Sequence, residues 1–152
     1  MYFVEKQGAD LLNEVIALRV MNESGVDSDL LRGLFEASKH RQILIAKTEN
    51  GEPLATLAFA RISKFTLKLL ADSPGHKLRP YEYGEGKILY VQDAFFKKHT
   101  VRKSLALLAP QLKRFRLIAF VRKERLRVFY NGSRSVRPIK LSSLAPSMDA
   151  IT

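Results

Sequence analysis

Cysteine is missing from all 152 residues. That excludes a disulfide, a thiolate metal site and a cysteine nucleophile, and it fits a reducing compartment. No apolar run approaches the roughly 18 residues a bilayer-crossing helix needs. The first ten residues lack the basic stretch and apolar stretch of a signal peptide, so a soluble, cytoplasmic protein is expected. No histidine pair has i, i+4 spacing and no HExxH occurs, so no metal site is expected. Helix-turn-helix, RNP and zinc-finger patterns are missing too. Acid is scarce in the last third, where residues 97–152 hold only Glu124 and Asp149.

What is there follows from that scarcity. Residues 1–96 carry 12 Lys/Arg against 13 Asp/Glu, while residues 97–152 carry 14 against 2. A one-sided field of this size attracts something acidic: nucleic acid, an anionic membrane surface, an acidic protein or a phosphate-bearing group. The remaining composition, 46% apolar and 27% charged, is that of a folded globule with a core. One domain over residues 1–140 is expected, followed by a loosely ordered tail at 141–152.

Apolar side chains at Leu11, Leu12, Val15, Ile16, Leu18 and Val20 recur at helical spacing, with Leu18 at the edge of the stripe, and Gly25 marks the stop. Asp27 or Ser28 caps a second helix carrying Leu30, Leu31, Leu34 and Phe35. Gln42–Lys47 and Leu54–Ile62 read as strands joined through Asn50-Gly51, a strong hairpin signal. Lys64–Ala71 reads as a helix, and Ser73–Gly86 as a long irregular loop. Lys87–Phe96 is the clearest strand. A helix capped by Thr100 runs to about Phe115, with Pro110 predicting a kink or early stop. Leu117–Val121 and Leu126–Tyr130 read as strands, with Asn131-Gly132 as a turn. The order α-α-β-β-α-β-α-β-β is that of an α+β domain: a mixed central sheet flanked by helices, with one β-α-β crossover.

The end of the Lys87–Phe96 strand is the place for chemistry, because ligands in such sheets gather beyond the carboxyl ends of strands. Asp93 lies there. Beyond it, Lys97, Lys98, Arg102 and Lys103 surround a helix start at Thr100, an anion-binding pattern, and the plain alternative is that Asp93 pairs with one of these lysines. His99, beside that carboxylate, makes a minimal general-base pair with it. His40 at a helix end reads as structural, while His76 lies in the Gly/Pro loop. Lys113–Lys140 holds ten basic residues and one acid with Phe115, Phe120, Phe129 and Tyr130 interleaved. Such a pattern suits nucleic acid, although Phe120 and Phe129 suit a core equally well.

Four segments carry a resemblance: Gln42–Thr48, Pro53–Ser63, the Lys87–Asp93 strand and Phe115–Val121. Over about Gln42 to Arg134 the chain resembles the RTX toxin-activating lysine acyltransferases, the hemolysin-activating family. The resemblance implies a GNAT-like fold and transfer of a fatty acyl group from acyl carrier protein to a lysine of a protein substrate. It implies a catalytic aspartate at Asp93 and no bound cofactor, the acyl-carrier thioester being the donor substrate. The family's catalytic histidine lies some twenty residues before the first strand. Here that stretch is Val20-Met21-Asn22-Glu23-Ser24. Either His99, His40 or Glu23 supplies the base, or the chain is a non-enzymatic relative that binds nucleic acid or an acidic protein. The Phe95–Ser104 segment contains no glycine, so its backbone is poorly suited to wrapping a pyrophosphate and better suited to a carrier-borne phosphopantetheine. A homodimer is a further expectation.

Overall fold

The computed structural model describes Phe3–Glu5, residues 11–131 and Val136–Ile139. The chain divides into two compact units, each built from two separate segments: Met1–Phe59 with Asp93–Leu112, and Ala60–Gln92 with Lys113–Thr152. Two strands, β3 (Pro53–Ile62) and β4 (Ile88–Phe96), contribute to both units. The expected tail at 141–152 lies outside the described residues.

In the first unit, helix α1 (Leu11–Met21) buries Leu11, Val15, Leu18 and Arg19. Its stripe therefore runs through Leu18, and Val20 and Met21 face out, Met21 at 81% exposure. The helix ends before Gly25. Glu23 takes the left-handed conformation at φ 59°. The Ser24 N–H reaches the Arg19 carbonyl at 2.8 Å and the Glu23 N–H reaches Val20 at 3.1 Å. This is a Schellman closure built on a non-glycine residue. Helix α2 (Ser28–Lys39) starts at Asp27, whose carboxylate accepts from the Leu30 N–H at 2.7 Å. It ends in the same motif, with Arg41 left-handed at φ 56° and the Gln42 N–H on Ala37 at 2.8 Å.

The helices feed a sheet whose centre is apolar on both faces, since every residue of β2 (Ile43–Lys47) is buried. Strand β2 pairs antiparallel with β1 (Phe3–Glu5) on one side and with β3 on the other. The β2–β3 hairpin turns at Asn50-Gly51 as expected, with Gly51 left-handed at φ 80°. Helix α4 (Val101–Leu112) buries Ser104 and Leu108 and contacts β2, as do α1 and α2. Pro110 sits in its last turn, so the helix stops three residues short of Phe115.

In the second unit, helix α3 (Lys64–Asp72) is capped by Ser63, whose hydroxyl accepts from the Thr66 N–H at 3.2 Å. The stretch expected to be irregular holds a 3-10 turn at Pro80–Tyr83. Its Glu82 is buried and accepts from the Arg79 N–H at 2.7 Å, with His76 Nε2 at 3.1 Å. Gly86 passes so close to the end of β3 that a Cβ there would lie 2.0 Å from the Ile62 carbonyl oxygen.

Strand β4 pairs in parallel with β5 (Leu117–Arg122) over Leu89–Val91 against Ile118–Phe120. Strands β5 and β6 (Arg125–Asn131) form an antiparallel hairpin through Lys123 and Glu124, both left-handed at φ 50° and 59°. That is the two-residue primed turn whose twist matches the strands, formed here without glycine or asparagine. Strand β7 (Val136–Ile139) adds to β6 antiparallel. Both β1 and β7 went unread in the sequence, being three and four residues long.

Candidate functional site

Asp93 stands in the outer half of β4, in the unit that also holds α1. Two residues on, Phe95 projects from the same strand face. Arg19 meets both. Its Nη2 donates to Asp93 Oδ1, and its guanidinium carbon lies 5.1 Å from the centre of the Phe95 ring. Its Nη1 donates to Ser24 Oγ at 3.3 Å. The Schellman closure of α1 places Ser24, so one local motif both ends the helix and fixes its arginine.

The pair is well sheltered: side-chain exposure is 10% for Arg19 and 13% for Asp93. It is also incomplete. Arg19 Nε and Asp93 Oδ2 are buried with no hydrogen-bond partner among the described residues. An Arg–carboxylate pair of full strength is a fork of two parallel N–H···O bonds. Here one arm is closed and the other is open, leaving one spare donor and one spare acceptor.

Arg19 is the partner of Asp93 that the sequence reading missed. The signal was present: Arg19 is four residues after Val15 and eight after Leu11, on the apolar stripe itself. A cation on a buried helix face requires a buried partner.

The other expected site residues are placed differently. Lys97 pairs with Glu52 at 2.7 Å instead of with Asp93. That hydrogen bond, together with the lysine charge, holds the Glu52 carboxyl below its usual range. Lys98 and His99 are exposed, and His99 occupies a left-handed turn position at φ 67°. The partner of Asp93 is thus Arg19 rather than His99 or a lysine. Thr100 sits where a helix cap belongs, its carbonyl accepting from the Ser104 N–H at 2.9 Å. Its hydroxyl, however, donates to the Lys97 carbonyl at 2.7 Å and closes the turn. Arg102 and Lys103 are exposed on the first turn of α4. His40 Nδ1 lies 2.9 Å from the Glu36 carbonyl, in the structural role expected at a helix end. Among the described residues no group of three potential metal ligands gathers, and no helix is long and apolar enough to cross a membrane.

The late positive charge concentrates, within the second unit, on one face of the β5–β6 hairpin. Register places Arg122 opposite Arg125, Phe120 opposite Arg127, and Ile118 opposite Phe129. Arg116, Arg122, Arg125 and Arg127 are exposed. Between them Phe120 and Phe129 stack, their centroids 5.4 Å apart and their planes 9° apart. The opposite face, with Leu117, Ala119, Leu126 and Val128, is core. The two phenylalanines are therefore half-buried members of a basic surface.

Neither a protein-family profile nor a curated protein matches the sequence. Among solved structures the fold is similar to the loading GNATL domain of CurA from Lyngbya majuscula, with a TM-score of 0.54 and 15% identity over 80% of this chain and 64% of that one. It is also similar to the GphF GNAT-like decarboxylase in complex with isobutyryl-CoA, with a TM-score of 0.50 and 16% identity over 78% of this chain and 64% of that one. The chain thus spans slightly less than two thirds of each neighbour's length. At these identities the likeness establishes the architecture, a GNAT-like α+β fold with a mixed sheet.

Proposed function

We propose that this chain is an acyl-thioester-using transferase whose working carboxylate is Asp93. The donor is a fatty acyl group on an acyl carrier protein, and the acceptor is a lysine amine of a protein substrate. The observation that carries this reading is Asp93 Oδ2, a sheltered carboxylate oxygen without a partner among the described residues, in the outer half of β4. A buried acceptor is costly to leave unmade, by about 1–3 kcal/mol, so its retention argues for a ligand donor.

The chemistry follows from what the amine needs. A lysine nitrogen attacks a thioester carbonyl only as the neutral amine, and it sheds a second proton as the amide forms. Asp93 Oδ2 takes that proton as the N–C bond forms; the C–S bond then breaks, and the departing thiolate receives the proton from Asp93 and leaves as the thiol. Arg19 cannot accept a proton, so the missing family histidine has no basic replacement at this pair. That leaves Asp93 as the sole acceptor in it.

Support for a carrier-borne donor comes from charge. The exposed Lys98, Arg102 and Lys103, in the unit that holds Asp93, suit an acidic carrier surface, whose capture a positive field accelerates by about 10–1,000-fold at low salt. The glycine-free Phe95–Ser104 segment favours a single phosphate over a pyrophosphate.

The test is incubation with radiolabelled acyl carrier protein and a lysine-rich acceptor. Asp93→Asn is expected to lower transfer by at least about 100-fold with unchanged circular dichroism. Full transfer by that variant removes Asp93 from the chemistry. A second reading, a nucleic-acid-binding module without catalysis, draws on the stacked phenylalanines framed by arginines. It expects a mobility shift with short single-stranded RNA or DNA and a steep salt dependence; no shift at low salt ends it.

A further inference from the structure

The geometry points to Arg19 as a second catalytic group: its Nε–H donates to the thioester carbonyl oxygen while Asp93 Oδ2 takes the proton of the attacking amine. This deepens the acyl-transfer reading and rests on it.

Two atoms of the Arg19–Asp93 pair are unmatched. Buried polar atoms without partners are few in folded proteins, and each asks for an explanation. Seven such side-chain atoms lie among the described residues; two of them sit on side chains already bonded to each other, and their hydrogen-bonding senses are opposite: Arg19 Nε–H gives and Asp93 Oδ2 receives. A purely structural pair gains most by closing the second arm of the fork on itself. With one arm closed and one open, the pair keeps an unmatched donor and an unmatched acceptor. A ligand that completes it carries an acceptor and a donor. In thioester aminolysis those are the carbonyl oxygen and the N–H of the incoming amine.

The arginine suits the task. Its charge is permanent, so the donor is present at every working pH. Its orientation is set from three sides: Asp93 Oδ1 on Nη2, Ser24 Oγ on Nη1 at 3.3 Å, and the Phe95 ring at 5.1 Å. The residue is only 8% exposed. A fixed cation in a dry setting acts more strongly on developing charge than the same cation in water.

As the amine attacks, the carbonyl π electrons move onto oxygen, and that oxyanion faces Nε–H. The amine proton goes to Asp93 Oδ2. When the carbonyl re-forms, the thiolate leaves and takes the proton from Asp93. The products are the amide and the free thiol, with Asp93 ionised again. The interaction strengthens as negative charge grows, which is what accelerates a reaction rather than merely tightening binding.

The experiment uses the full chain and S-octanoyl-pantetheine carrying a 13C carbonyl, read by isotope-edited infrared spectroscopy. In the unmodified protein the bound carbonyl stretch is expected to fall to lower wavenumber than that of the free probe. Arg19→Gln is expected to abolish the shift. Arg19→Lys keeps a cation for Asp93 but loses the fork, and is expected to lower kcat of acyl transfer by about 100–1,000-fold while KM changes by no more than a few-fold. Probe that binds with an unshifted carbonyl, or a shift that persists in Arg19→Gln, overturns this role for Arg19 and leaves the acyl-thioester reading intact. Neither binding nor turnover by the unmodified protein overturns that reading and this inference with it. If the variants fail to fold, the carbonyl shift in the unmodified protein still decides.

Discussion

Replacing Arg19 with methionine is expected to be among the most damaging single changes available to this chain. Methionine keeps much of the reach and apolar stem but leaves the Asp93 carboxylate, 13% exposed, without its counter-charge. Removing one partner of a buried ion pair costs about 3–5 kcal/mol, because the survivor is a desolvated, uncompensated charge. The upper half of that range applies here, since the Ser24 bond at 3.3 Å and the Phe95 contact at 5.1 Å go too. Asp93→Leu is expected to cost a similar amount by stranding the guanidinium. The double variant Arg19→Met/Asp93→Leu removes both charges together, and is expected to lie within about 1 kcal/mol of the parent or above it in stability. The two changes should therefore couple by at least about 3 kcal/mol in a double-mutant cycle. Urea unfolding followed by circular dichroism measures all four corners. A loss below about 1 kcal/mol for Arg19→Met, or single-variant losses that simply add, would refute the idea that the pair is desolvated. A double variant that is stable but inactive would show that the charges are retained for chemistry.

Three other outcomes are expected. Burial first, then the charge of Tyr83, raises the Tyr90 phenol above its ordinary value of 10.0; the stability this contributes is fully present below that value and is lost as pH climbs through the raised one, so Tyr90→Phe should flatten the alkaline limb of a stability–pH curve. Gly86→Ala should destabilise by well over about 1–3 kcal/mol and lower the thermal midpoint clearly, because its Cβ meets the Ile62 carbonyl oxygen at 2.0 Å and Ser63 N at 2.5 Å, all backbone that cannot swing aside. Glu23→Gly should stabilise by about 0.5–1 kcal/mol in chemical denaturation by relieving a left-handed side-chain-bearing residue, and unchanged acyl transfer in that variant would rule Glu23 out as a base.

Much of the architecture was legible because local physics decides it. Asp27 and Asn50-Gly51 announce a helix start and a hairpin through bonds made within a few residues. The alternation in β6, with Arg125 and Arg127 out and Leu126 and Val128 in, is a period of two that survives folding unchanged. The carboxylate on β4 was legible too, although the strand continues three residues past it to Phe96. Its partner was not, because 74 residues separate Arg19 from Asp93. Near the end of α1 an arginine reads as a cation placed to complement the helix dipole, a role that needs no distant partner. Only the register of the stripe, running Leu11, Val15, Leu18, says that Arg19 points inward. The lysines after Phe96 misled in the opposite sense: proximity in sequence suggested a partner for Asp93, whereas the turn carries Lys97 to Glu52. The termini of the sheet were missed because strands of three and four residues carry too few alternations to register.

The interleaving of the two units sets a timetable for synthesis. The first unit lacks its last helix until residue 112 has been made, and the second lacks β5 and β6 until later still. No contiguous fragment of the gene encodes either one whole. A nascent chain stalled near residue 92 would hold Arg19 with no carboxylate to meet it, since this ion pair joins a helix residue to a strand residue made 74 positions later.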